Sequence, residues 1–78
     1  MILVKVIIDN KMLYNSNAKA VYLNTIDKGI MALQARCPNY VLKITGYIEI
    51  ILLNNNKQIF QIKEAIANFH NSVLEIIG

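Results

Sequence analysis

The stretch from Ile30 to Leu53, IMALQARCPNYVLKITGYIEIILL, constrains this chain more than any other. It holds the only proline, one of the three glycines and the densest strand-forming run. Pro38 cannot donate to a sheet ladder and pushes Cys37 toward extended geometry, so ARCP reads as a break between two extended segments. Beyond it, NYVLKI and YIEIILL flank Thr45 and Gly46, and two apolar, β-branched runs around a glycine-containing pair predict a hairpin turning at Gly46 with positive φ. Side chains alternate along a strand, which puts Ile48, Ile50 and Leu52 on one face and Tyr47, Glu49 and Ile51 on the other.

The rest of the chain repeats this punctuation. MILVKVII is an almost continuous apolar run, as for a strand covered on both faces, and Asp9 and Asn10 supply turn chemistry after it. MLY reads as a short return strand closed by Asn15, Ser16 and Asn17. AKAVYLN then alternates Ala18, Ala20 and Tyr22 against Lys19, Val21 and Leu23, and TIDKG is a loop. The asparagines at 54 to 56 make a further turn before QIFQIK, and His70, Asn71 and Ser72 another before VLEIIG. Short strands with turn signals at regular intervals favour an all-β sandwich over βαβ units.

One segment reads two ways. Ile59, Ile62, Ile66, Phe69, Val73 and Ile76 are spaced 3, 4, 3, 4, 3, the buried stripe of an amphipathic helix, and KEAIA is a good helix former. The turn cluster at His70 and the β-branched tail oppose a helix. Period and composition leave both open, so the alternative to an all-β chain is an α+β one with a helix near 58–76.

Composition narrows the function. Residues 1–78 are expected to form one domain, and at this length a domain buries only about 60% of the surface its unfolded chain exposes. With 55% hydrophobic and 17% charged residues, the chain carries more apolar side chain than so small a core needs, which points to a surface shared with a partner. The net charge of +3 is spread thinly: five Lys/Arg and two Asp precede residue 40, three Lys and three Glu follow it. Nucleic-acid binders cluster their basic residues on one face among stacking aromatics, so no nucleic-acid partner is expected. A single cysteine allows neither an intrachain disulfide nor a zinc knuckle, and a cytoplasmic setting fits. Lys5, Lys43, Glu49 and the asparagine triplet interrupt the apolar runs, and neither a signal peptide nor a membrane span is expected.

No site for chemistry stands out. Asp9, Asp27, Glu49, Glu64 and Glu75 fall in separate elements without paired spacing. His70 is placed in a turn as a solvated imidazole, and Cys37, beside Arg36, reads as a small packing residue ahead of Pro38 rather than a nucleophile. The glycines are isolated and make no phosphate loop. The expectation is a non-catalytic chain with no cofactor and no metal.

From Lys5 to Gly78 the chain resembles the N-terminal β-sandwich of the epsilon subunit of rotary (F-type) ATP synthases. KVIIDNKMLYNSNAKAVYLNT occupies the places of the family's first block. KGIMALQARCPNYVLKITGYIEI keeps the pattern of the next at Ile30, Leu33, Pro38, Gly46, Ile48 and Ile50, and IKEAIANFHNSVLEIIG keeps that of the last at Ile66, Phe69, Leu74 and Ile76. It departs where the family has glycines, which fall on Lys28, Met31, Ala35, Glu64 and Ala65, with Gly29 displaced by one. The resemblance implies a small flattened β-sandwich of about eight to ten short strands, with 59–76 as two strands and a turn. It implies a coupling subunit that clamps the central-stalk gamma subunit and rests on the c-ring during proton-driven ATP synthesis. Such a subunit sits peripherally at the cytoplasmic face of the inner membrane without inserting. Asp27, Lys28 and Gly29 fall on the c-ring-facing loop, Arg36 and Tyr40 where the family meets gamma, and Pro38 and Gly46 on structural turns. In the family two helices follow, which restrain hydrolysis or bind ATP; here the chain stops at Gly78, and a coupling part without either property is expected. The competing reading is a stand-alone α+β module that homodimerises through its apolar stripe.

Overall fold

A computed structural model describes residues 1–78 as seven strands and no helix: β1 Ile2–Ile8, β2 Lys11–Ala18, β3 Ala20–Thr25, β4 Gly29–Leu33, β5 Tyr40–Ile51, β6 Lys57–His70 and β7 Val73–Ile77. They form one sheet in the order β2-β1-β7-β6-β5-β3-β4, antiparallel except where β1 lies parallel to β7. The chain is all-β, and the helix near 58–76 does not form.

Two-residue turns close the β1–β2 and β6–β7 hairpins. Asp9 and Asn10 both have positive φ (51° and 63°), as do Asn71 and Ser72 (50° and 62°). These twisted turns match the right-handed twist of the strands they join, and short polar side chains tolerate the left-handed region best. The expected turn at residues 15–17 is absent. β2 runs through it to Ala18, because its backbone pairs with β1 as far as Ile2. β1 is covered on one face only, with Ile2, Val4 and Val6 fully buried and Leu3, Lys5 and Ile7 half-buried.

Gly46 is not in a hairpin turn. It lies inside β5 with φ +84°, and the β5–β6 hairpin closes instead at residues 52–56, where Leu52 N–H donates to Asn56 C=O (2.8 Å) and Asn55 takes φ +71°. Both neighbours of β5 slip register at Gly46. On one side Thr45 faces Glu64 and Gly46 faces Ile62, leaving Lys63 as an extra residue in β6 whose carbonyl accepts a hydrogen bond from the Thr45 hydroxyl. On the other side, pairing to β3 jumps from Leu23–Ile48 to Thr25–Ile44. An extra residue bends a strand and sharpens its twist, so the long β5–β6 ribbon turns a corner here. Residues 66–70 of β6 pair with β7, which leads on to β1 and β2, whereas 48–51 of β5 pair with β3, which leads on to β4 and reaches the corner at Thr25–Ile44. Each long strand serves both layers, which is why about eight to ten expected strands come out as seven.

The same slip explains the helical spacing in β6. Its interior positions are Phe60 and Ile62 before the extra residue and Ala65, Ala67 and Phe69 after it, so the inward phase changes at Lys63. Ile59 and Ile66 belong to the outer face and are 57% and 45% exposed. The bend at Lys19, between β2 and β3, likewise breaks the expected alternation: Ala20 and Val21 are both buried, while Tyr22 points outward.

Every strand contributes to one cluster of 17 buried residues, with Phe69 the largest fully buried side chain. Residues such as Val4, Leu23, Ile50 and Leu74 each contribute about 1.5 to 3 kcal/mol on burial. Tyr14 on β2 packs edge-on against Phe60 on β6, ring centroids 6.2 Å apart, joining the layers at the rim.

Gly46→Val should destabilise the domain by about 1 to 3 kcal/mol, because a β-branched residue is strained at that φ and its Cβ would meet the Asn24 side-chain nitrogen at 3.2 Å. Pro38→Leu, in the β4–β5 loop, should cost only about 0.5 to 1 kcal/mol through the unfolded chain. Urea denaturation of the two variants against the parent measures both, and a neutral Gly46→Val would refute the corner.

Candidate functional site

The turns gather at two ends of the sandwich. At one end lie the Asp9–Asn10 turn, the loop of residues 26–28 and Gly78. They are tied by Asp9 N–H to Gly78 C=O (3.0 Å), Gly78 N–H to Ile7 C=O (2.9 Å) and Ile26 N–H to Lys43 C=O (3.0 Å). At the other end lie residues 34–39, 52–56 and 71–72. There Asn71 N–H donates to Asn39 Oδ1 (3.2 Å), Ser72 Oγ to Ala35 C=O (3.2 Å) and Lys19 Nζ to Asn55 Oδ1 (2.6 Å).

Asp27, Lys28 and Gly29 belong to the first end, and all three are exposed. Thr25 shapes their loop. Its hydroxyl donates to Gly29 C=O (2.5 Å) and accepts from Lys28 N–H (3.0 Å), and at 4% exposure it is the buried polar side chain of the domain. Gly29 turns the chain into β4 with φ +73°, in open space. The charges of Asp27 and Lys28 are thus held out to solvent by a buried hydroxyl.

Arg36, Pro38 and Tyr40 belong to the opposite end, so the two sets of residues expected from the sequence are not brought together. Arg36 is exposed. Tyr40 is half-buried, packed on the core and paired with Phe69 across the ladder. Cys37 closes the intervening turn: its N–H donates to Gln34 C=O (3.0 Å) and its Sγ accepts from Gln34 N–H (3.4 Å).

The carboxylates, His70 and Cys37 stay dispersed, and no three of the Asp, Glu, His and Cys side chains gather in a group that could hold a metal ion. His70 is exposed at the end of β6. No helix is long and apolar enough to cross a membrane.

What the strand patterns did not single out is an apolar outer face. Tyr22, Ile30, Tyr47 and Ile59 surround one hollow across β3, β4, β5 and β6, with Glu49 among them. Ile30 is 76% exposed and Tyr47 58%. A second hollow beside Lys43 is lined by Ile26, Ile66 and Ile77. The signal was present in the alternation: Tyr22, Tyr47 and Ile59 fall on outward positions of strands whose inward positions are already apolar.

Among solved structures, the chain is similar to a chain in a structure of the Euglena gracilis mitochondrial ATP synthase, OSCP/F1/c-ring in rotational state 1. The TM-score is 0.90 at 18% identity, over 97% of this chain and 49% of that one. The fold is therefore shared, and this chain spans about half the length of its structural neighbour. No family model matches the sequence, and no curated protein does.

Thr25→Val should destabilise the domain by about 1 to 3 kcal/mol, since it leaves the Lys28 N–H without its acceptor beside a buried methyl. Thr25→Ser should keep most of the stability. Thermal melts of the pair separate loss of the hydroxyl from loss of packing.

Proposed function

We propose that this chain is an epsilon-type subunit of the central stalk of a rotary ATP synthase, a non-catalytic part that passes rotation between the gamma subunit and the c-ring. The observation that carries the reading is the fold likeness: nearly the whole chain superposes on a chain from such an assembly. The sequence resemblance, found along the same strands, points the same way.

The geometry suits a coupling part. A coupling element must hold two separate contacts at fixed distance, and here the two ends are joined by one hydrogen-bonded sheet over a single core, 27 × 25 × 19 Å in extent. In this reading Asp27, Lys28 and Gly29 meet the hydrated polar loops of the c-ring, while Arg36 and the exposed edge of Tyr40 meet gamma. Association with the membrane is then peripheral, through the complex. The contacts at the c-ring end are polar and solvated, so they set association and salt sensitivity more than folding.

A tagged copy of the chain should co-purify with the gamma subunit and the catalytic-head subunits from mildly solubilised membranes of its source. Recovery of the chain free of both would end the stalk reading. Reversing both loop charges, with Asp27→Lys and Lys28→Glu, should change stability by no more than about 0.5 kcal/mol, as is usual for exposed positions. The same double variant should weaken ATP-driven proton pumping relative to hydrolysis in membrane vesicles. Unfolding of the isolated double variant, or intact coupling, would remove the loop from the c-ring contact.

A further inference from the structure

We propose that the free chain pairs with a second copy of itself through the open edge of β6 at residues 57–62, antiparallel about a two-fold axis through Ile59. The inference does not rest on the stalk reading; it follows from the edge and its sequence.

β6 is paired on both sides over only part of its length. Its ladder to β5 runs from Lys57 to Phe69, but its ladder to β7 covers only Ile66 to His70. Gly78 closes the edge as far as Glu64, where a Cβ built on the glycine would lie 2.8 Å from the Glu64 carbonyl oxygen. From Ile62 back to Lys57 no strand lies on that side, and alternate residues turn their N–H and C=O away from β5. The side chains agree with an open edge: Gln58, Ile59 and Gln61 are all exposed. Tyr14 of β2 touches the Phe60 ring, yet β2 and β6 share no ladder.

The other edges are blunted. β2 is bulged where its register to β1 shifts and turns polar at residues 15–17, and β4 is only five residues long. By contrast, KQIFQI in β6 is a six-residue run with no proline, glycine or carboxylate, built around the strand formers Ile59, Phe60 and Ile62. That is the composition of a segment that pairs with its own copies. A strand of a different protein would satisfy the same backbone groups, but only the second copy is matched to this edge by the edge's own side chains.

Charge fixes the register. Residues opposite one another in an antiparallel pair lie on the same face, so the two-fold axis passes through a residue. An axis through Phe60 sets Lys57 against Lys63 of the second copy, and parallel in-register stacking sets each lysine against its counterpart; both oppose like charges. An axis through Gln61 carries the ladder across the extra residue at Lys63. The axis through Ile59 sets Ile59 against Ile59, Gln58 against Phe60 and Lys57 against Gln61. Lys57 keeps Glu49 of its own chain at 3.1 Å, so it brings no uncompensated charge to the pair. The five facing residues span about 17 Å, a contact at the small end of interface sizes, and the pair therefore dissociates reversibly on dilution.

The test is sedimentation equilibrium of the full chain at concentrations up to about 1 mM, a range that detects weak association. The parent should shift from monomer toward dimer as concentration rises. Ile59→Lys sets two more lysines face to face and should weaken dimerisation about tenfold or more; Ile59 is 57% exposed, and unchanged melting of the variant is checked first. Crosslinking tests the register. Directly opposite residues have Cα atoms about 4.5 to 5.5 Å apart, within reach of a disulfide. In a Cys37→Ser background, Ile59→Cys should therefore give a disulfide-linked dimer on mild oxidation several-fold faster than Gln61→Cys does. A parent that stays monomeric throughout overturns the inference. So does an Ile59→Lys variant that dimerises as tightly as the parent, or crosslinking by Gln61→Cys as fast as by Ile59→Cys.

Discussion

The register slip at Gly46 is the constraint on which the rest of the architecture depends. A flat seven-stranded sheet of this length could not enclose a core, since each strand would bury one face and leave nothing to cover it. Bending one ribbon, β5–β6, over a corner lets a single sheet serve as both layers of a sandwich. The bend needs an extra residue on one strand and a backbone with positive φ on the other. Lys63 and Gly46 supply these at the same point along the ladder. The slip toward β3 at that point carries β3 and β4 over the corner with the ribbon. The core of 17 residues, drawn from all seven strands, is a consequence of this fold-over.

Given the corner, the turns collect at two ends of the sandwich. Each is built from short turns whose amide and carbonyl groups are bonded to one another, so neither is a floppy tip. Thr25 is instructive because it buries a hydroxyl to position two exposed charges, the reverse of what core packing alone would select. A residue in that setting serves the shape of the loop above it.

Much of this was legible in the sequence, and the failures have a common cause. Asp9, Asn10, Asn71 and Ser72 announced their turns because few residues accept the left-handed region, and the inward set of Ile48 and Ile50 followed from alternation. The requirement for positive φ at Gly46 was legible too, but its setting was not. A bulge partner and a hairpin turn ask the same thing of a glycine, and only long-range pairing tells them apart. The phase change at Lys63 misled in a different way. Joining Ile59 and Ile66 of the outer face to Ile62 and Phe69 of the inner face produced a helical period from two interleaved strand periods. The surplus of apolar side chain pointed to a shared surface but not to its place: Tyr22, Tyr47 and Ile59 come together on one outer face only through the pairing of β3, β5 and β6. Asp27 to Gly29, Arg36 and Tyr40 could be placed on the chain but not in space, and their separation to opposite ends depends on the topology.

The combination of 18% identity with a TM-score of 0.90 fits this economy. A sandwich of this kind demands few particular residues: an inward alternation that many aliphatic side chains satisfy, a handful of turn positions and one corner. Aliphatic substitutions of similar volume cost little in a core that accepts them together, so the interior can drift while its pattern persists. The outer face is under no such requirement from folding. Hydration favours polar residues at 76%-exposed Ile30 and 58%-exposed Tyr47, and neither contributes to the buried cluster. The packing of the sheet therefore does not account for the apolar side chains at these positions, whereas it does account for the inward alternation that the drifting core preserves.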